Sequence, residues 1–157
     1  MAVQTASGSK LYLSNAVTTV STQVAFEALT WVEIGEIENL GDIGLEWSAI
    51  TAATLSDRLE RTWKGTEKAS TMPLQLLMDP SDTGQTLLRG AAYESDDEYG
   101  VKVTLNDAGS GSPSSPTTFY FRGRVMSYTR QIGTTENVVR ATSNVAVNTR
   151  PIEVAAV

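Results

Sequence analysis

The chain has 157 residues, of which 41% are apolar and 19% charged; its net charge is −6 and it has neither cysteine nor histidine. This is enough apolar material for one packed domain, and the acidic balance argues against a general nucleic-acid binder, which presents a basic face. The missing residue types remove disulfides, thiolate chemistry, the usual zinc sites and histidine acid–base catalysis, so an enzyme would have to work with carboxylates or a Ser–Lys pair.

Residues 1–30 show no clean period. "SNAVTTVSTQVAFEALT" reads either as a strand or as an arm that orders against a neighbour. "TWVEIGEIENLG" puts Val32 and Ile34 on one face, breaks at Gly35 and resumes at Ile37, which predicts a strand with a bulge or bend. In "IGLEWSAI", Ile43, Leu45, Trp47 and Ala49 alternate with Gly44, Glu46 and Ser48. That period predicts a half-buried strand, and the patterns around Trp31 and Trp47 suggest core positions.

Thr51–Ser70 follows, "TAATLSDRLERTWKGTEKAS". It is neither helical nor alternating, and it reads as a long loop of a kind that is uncommon without a function. Buried-type anchors (Leu55, Leu59, Trp63) stand beside Arg58, Arg61 and Lys64, which is the makeup of an interface element. The alternative is a loop folded over its own core.

"TMPLQLLM" alternates Met72, Leu74, Leu76 and Met78, with Pro73 at an edge or non-bonded position. Asp79 as N-cap, Pro80 at the first helical position and the stripe Leu87, Leu88, Ala91, Ala92 predict one helix over about 80–93. Strands follow at "YGVKVTL", "TTFYFRGRVMSYTRQ" and "NVVRATSNVAVN", with a flexible loop "NDAGSGSPSSP" between the first two and a tail over about 150–157. The sum is a mainly β fold, a β-sandwich or open barrel with one flanking helix and the long loop at about 51–70.

Charge is unevenly spread. Residues 1–54 hold Lys10 against Glu27, Glu33, Glu36, Glu38, Asp42 and Glu46, whereas residues 115–157 hold Arg122, Arg124, Arg130, Arg140 and Arg150 against Glu136 and Glu153. Either the two ends pair within one chain, or an acidic face meets a basic one head to tail between copies.

The carboxylates Glu94, Asp96, Asp97 and Glu98 match no cation-loop spacing and read as a solvated turn. Asp79, Ser81, Thr83 and Gly84 mimic the start of a calcium loop, but Gly90 stands where a bidentate Glu is needed. Tyr120, Arg122, Arg124, Tyr128 and Arg130 interleave aromatics and bases on one strand, as single-strand binders do. The plainer reading is a sheet face with cross-strand pairs. No cofactor and no metal site is expected.

The order of "WVEIGEI", "LEWSAI", a charged stretch with "KGT", "D..D.GQ..L" opening a lone helix, and the late strands "F.FRGRV" and "NVVRATSNVAVN" resembles a major tail tube protein of long-tailed, siphovirus-like bacteriophages. The resemblance covers roughly residues 28–150 and extends to tube proteins of contractile tails and type VI secretion. It implies a single tail-tube domain over 1–157, with an N-terminal arm at about 1–27. It also implies hexameric rings stacked into a hollow tube that conducts DNA without binding it specifically. The long loop would reach an adjacent subunit or ring through Leu55, Arg58, Leu59, Arg61, Trp63 and Lys64. Glu33, Glu36, Glu38 and Glu46 are the candidates for an acidic lumen, because they lie on or beside sheet strands. Other tail proteins (tape measure, tail tip, terminator) are the expected partners. The expected location is the virion tail after synthesis in the host cytoplasm, with no membrane segment, since no apolar run approaches the length of a span and no signal peptide is evident. No second, immunoglobulin-like domain of the kind some such proteins carry is seen. A terminator or head-completion ring protein and a type VI-like tube protein are the nearest alternatives. A ligand-binding β-sandwich and a carboxylate enzyme are the readings from other classes.

Overall fold

The computed structural model describes residues 3–111 and 114–157. Among them the chain forms β1 (Lys10–Val17), α1 (Gln23–Glu27), β2 (Trp31–Ile34), β3 (Ile37–Asn39), β4 (Leu45–Ala52), β5 (Arg61–Ala69), β6 (Thr71–Leu77), α2 (Thr83–Tyr93), β7 (Tyr99–Thr104), β8 (Thr118–Gln131), β9 (Arg140–Val147) and β10 (Ile152–Val154). One antiparallel sheet runs β2-β1-β7-β8-β9-β6-β3, with β10 added on β8; β4 and β5 form a separate two-stranded ribbon.

The break at Gly35 organises this sheet. β2 and β3 are consecutive in sequence, yet they occupy its two opposite edges, β2 on β1 (Leu11↔Ile34) and β3 on β6 (Ile37↔Leu76). For two adjacent segments to supply both edges, the sheet must curl until those edges face each other, which makes an open barrel. Glu36 takes φ 58, the left-handed conformation that a sharp bend needs. Its carbonyl accepts from the Leu77 N–H at 2.8 Å.

α2 is seated on this bend by its first turn. Asp82 is the N-cap; its Oδ1 accepts from Gly84 N–H at 3.3 Å and its Oδ2 from Gly35 N–H at 2.7 Å. Gln85 is buried, and its Nε2 donates to Gly35 O at 3.1 Å and Leu77 O at 2.8 Å while its Oε1 accepts from Asp79 N–H at 2.9 Å. A Cβ on Gly84 would lie 2.0 Å from Glu33 O, so only glycine lets the helix come this close to β2. Further along the same helix, Leu88 and Ala91 enter the core beside Leu11, Leu13, Met72, Leu74, Leu76, Val101, Phe121 and Val145. The alternation read in β6, β7 and β9 is the alternation of this core.

A smaller apolar cluster covers part of the sheet's other face. Phe26 of α1 stacks on Tyr120 with ring centroids 5.7 Å apart, and Trp31 lies 6.0 Å from Tyr120 and donates its Nε1–H to Phe26 O at 3.1 Å. Lys102 sits over the rings of Tyr12 and Trp31, and burial holds its amine below the ordinary value.

Several expectations are corrected. Residues 10–17 are an interior strand of the sheet rather than part of an arm, because Leu11 and Leu13 face the core between β2 and β7. The helix begins at Thr83 rather than about 80. Asp79 instead closes the preceding turn, accepting from Ser81 N–H at 2.9 Å, and Asp82 takes the cap. The segment 150–157 is held down by β10 on β8 and by Val157 exchanging backbone hydrogen bonds with Ser115. The aromatic–basic series on β8 does not share a face. A register shift between Val125 and Ser127 turns Tyr128 into the core, while Arg122 on the other side pairs with Glu98 at 3.2 Å. Pro73 meets its expectation, since β3 pairs with β6 only at Gln75 and Leu76 and leaves the Pro73 flank without a ladder partner.

Substituting Gly84→Ala is expected to cost about 1–3 kcal/mol in urea denaturation, because the new methyl must push α2 off β2. Thr83→Ala, one residue away and exposed, is the comparison. A neutral Gly84→Ala would mean that the helix does not depend on this approach.

Candidate assembly interface

The stretch expected as a loop at 51–70 is the far half of a β-hairpin. β4 pairs with β5 from Leu45↔Ala69 to Ala52↔Arg61, with a register shift between Trp47 and Ala49, so only residues 53–60 form the tip. Gly65 permits this pairing, since a Cβ there would meet Ser48 Oγ at 2.8 Å and Ile50 Cδ1 at 3.0 Å. The tip is organised by its own polar groups. Asp57 N–H donates to Thr54 Oγ1 at 3.2 Å, Leu59 N–H donates to Asp57 Oδ1 at 3.2 Å, and Arg61 pairs with Asp57.

The root is tied to the main sheet. β5 passes into β6 with only Ser70 between them. Ser70 N–H donates to Gly44 O at 3.4 Å and Ser70 O accepts from Val147 N–H at 3.2 Å. Arg150 grips Glu67 with two hydrogen bonds of 2.7 Å each, the fork geometry that makes arginine–carboxylate pairs directional.

Between root and tip the hairpin has no core of its own. Ile50 and Trp63 are cross-strand partners on one face, and Lys64 sits 4.5 Å from the Trp47 ring centroid on the other. Trp47 is 41% exposed and Trp63 52%; Ile50, Leu55 and Leu59 are exposed as well. Trp47 therefore is not the core residue its alternation suggested, and Trp63 is not covering its own domain. A two-stranded ribbon in water is marginal, and one that shows tryptophan on both faces has the character of half an interface. The whole chain tells the same story. It exposes 10,014 Å² at 16.8 kDa, against ~7,600 Å² for a folded monomer of that mass. The excess of about 2,400 Å² exceeds what a standard specific interface buries.

Of the six residues expected at the interface, all lie on this hairpin: Leu55, Arg58 and Leu59 in the tip, Arg61, Trp63 and Lys64 on β5. Trp47 and Ile50 are exposed on the same hairpin and were missed. Their strand alternates well enough to look half-buried, and only the adjacent pair Ala49–Ile50, apolar on both faces, hints otherwise. The four acidic candidates divide. Glu33, Glu36 and Glu38 share the bent segment between the sheet edges, whereas Glu46 lies at the hairpin root opposite Lys68. Glu33 is 3.5 Å from Lys10 and Glu38 is 3.0 Å from Arg140. The Glu38–Arg140 pair is the one ion pair among the described residues that joins the acidic first third to the basic last quarter, and Arg124 and Arg130 have none. Three of the five late arginines are thus paired among the described residues, but only Arg140 with the acidic first third. In the acidic turn, Glu98 is engaged by Arg122 and by Asn148, and Glu94, Asp96 and Asp97 are exposed.

No protein-family model matches the sequence, and no curated protein matches it. Solved structures do share the fold. A protein of the anti-feeding prophage baseplate, solved with sixfold symmetry, superposes with a TM-score of 0.72 over 99% of this chain and 98% of its own, at 9% identity. One from the sheath/tube terminator structure of the extracellular contractile injection system PVC gives 0.69 over 99% of both chains at 8% identity. The SPP1 tail tube gives 0.59 over 94% of this chain and 76% of its own at 11% identity. The chain therefore shares its fold with chains of a baseplate, a sheath/tube terminator structure and a tail tube.

The hairpin is expected to matter little to the isolated domain. Trp47→Ala and Trp63→Ala should each change unfolding free energy by no more than about 0.5 kcal/mol, as exposed positions do. A loss of several kcal/mol would place the side chain in the domain's own core. The root should respond to acid. Hydrogen bonds from Arg150 hold the Glu67 carboxyl below its ordinary value, against a smaller opposing effect of burial. A folded pKa below the unfolded one means that the anchor's contribution is present above the ordinary carboxylate value and is lost as pH falls through the lowered one. A tryptophan fluorescence titration, reporting through Trp47 opposite Glu67, should show this acid transition in the natural chain and lose it in Glu67→Gln. Identical titrations would separate the hairpin from that ion pair.

Proposed function

We propose that this protein is a structural tube subunit of a phage tail or a related injection machine. It assembles into rings that stack, and the β4–β5 hairpin makes the contact between subunits or rings. The observation that carries this reading is the hairpin itself. The body of the domain is closed by its own helix, yet a ribbon bearing Trp47, Ile50, Leu55, Leu59 and Trp63 stands clear of that body. The likeness to tube and terminator proteins over nearly the whole chain supports it.

Ring closure is assigned to the short edge strands β2 and β3, whose free sides are available for strand addition from neighbouring copies. Six copies per ring match the symmetry of the baseplate relative. A tube lumen should not hold DNA, and Glu33, Glu36 and Glu38 on the bent edge segment, with Glu46 at the hairpin root, are the acids assigned to keep it repulsive. Tape-measure, tip and terminator proteins complete the structure in a virion tail. A second reading, a terminator that forms one ring and stops, is favoured by the full-length match to a chain of the sheath/tube terminator structure.

Negative-stain micrographs beside light scattering, taken across protein and salt concentration, decide between them. Stacked hollow rings are expected, with Trp63→Ala abolishing stacking while leaving the monomer folded. Single rings at every concentration would favour the terminator. A strict monomer that also fails to grow on tail-tip seeds would contradict both.

A further inference from the structure

β5, Ser70 and β6 make a nearly unbroken line of chain from Arg61 to Leu77. The hairpin tip hangs from the Arg61 end. At the other end Leu77 pairs with Arg140 and Met78 N–H donates to Val139 O at 2.9 Å. That end therefore abuts the turn joining β8 to β9, residues 132–139. This turn carries a second apolar patch, with Ile132 69% and Val138 58% exposed.

Seventeen residues of strand, 61–77, span up to about 55 Å. The tip precedes β5 and the β8–β9 turn abuts the far end of β6, and the exposure of Leu55, Leu59, Ile132 and Val138 shows that neither patch covers the other. Two different uncovered apolar patches on one chain are the makings of a heterologous, head-to-tail contact. Charge fits the same match. Arg130 beside the turn and Glu60 at the tip are both exposed, and neither has an ion-pair partner among the described residues.

We infer that the acceptor for the hairpin tip is the β8–β9 turn of a second copy of this chain, with Leu55 and Leu59 packing on Ile132 and Val138 and Glu60 facing Arg130. The inference rests on the tube-subunit reading and adds the docking site to it. Each copy offers both a tip and a turn, so the contact is heterologous and can repeat from copy to copy.

Because the natural chain has no cysteine, the contact can be read by site-directed cross-linking. Leu59→Cys and Val138→Cys are both exposed positions and leave the core untouched. The two single variants are mixed under assembling conditions, treated with a short bis-maleimide and run on a denaturing gel. A heterodimer band is expected in the mixture, and a ladder of covalent multimers in the doubly substituted chain. Leu59→Cys mixed with Val24→Cys, on the exposed face of α1, should give neither. Stacked rings in micrographs without the Leu59–Val138 cross-link, or with the Leu59–Val24 one instead, would overturn the docking site and leave the tube reading standing. A doubly substituted chain that runs as a monomer with the mass of a single linker bridging both thiols would show the tip folding onto its own turn and overturn the inference. Absence of any assembly by light scattering would overturn both readings.

Discussion

The fold depends on how the first turn of α2 holds the bend at Gly35. A segment that crosses from one sheet edge to the other must break its ladder, and the break strands polar backbone in a partly buried place. Asp82 takes the Gly35 N–H and Gln85 takes the Gly35 carbonyl. Each bond contributes only about 1 kcal/mol net, but leaving such a group unpaired costs about 1–3 kcal/mol. Gln85 also bridges to Leu77 and Asp79, so one buried side chain ties the bend, the end of β6 and the approach to α2. Gly84 sets the distance. With helix and bend locked together, Leu88 and Ala91 fall onto the sheet interior and the curl of the sheet is fixed.

That clasp divides the molecule into a satisfied part and an unsatisfied one. Inside the body, apolar side chains are covered on both faces of the β1-β7-β8 region, by α2 on one and by Phe26 and Trp31 on the other. The hairpin has the reverse character. Its ladder is complete and its root is ion-paired, but its tryptophans have water on both sides. A ribbon gains its stability from a third layer, and here no other element of the described chain supplies one. The surplus surface and the exposed apolar side chains of the hairpin are what the proposed assembly would cover.

Much of this was legible in the sequence where burial imposes a period. Met72, Leu74 and Leu76, then Val101 and Val103, then Ala141, Ser143, Val145 and Val147 read as strands because one face meets the core. The bend at Gly35 and the D.GQ..L start of the helix were also legible, although the reason that Asp82, Gly84 and Gln85 belong together appears only when Gly35 is beside them. What failed to read was the hairpin. Alternation arises from having one wet face and one dry face, and β5 in an isolated chain has two wet faces. "RTWKGTEKA" therefore carries no period, although Thr62, Trp63 and Thr66 are good strand formers. Trp47 was misread the other way, since β4 alternates in sequence although no other element of the described chain covers it. β1 was obscured by its irregular register between Leu13 and Val17, which interrupts the alternation.

Under the proposed function the body completes itself while the hairpin is completed by another copy. Amide hydrogen exchange, followed residue by residue in the monomer and in the assembled state, addresses it directly. The account predicts that β7, β8 and β9 are strongly protected in both states, and that β4 and β5 exchange quickly in the monomer and slowly after assembly. Equal, high protection of β4 and β5 in the isolated monomer would contradict it, because the hairpin would then have all the support it needs from its own chain.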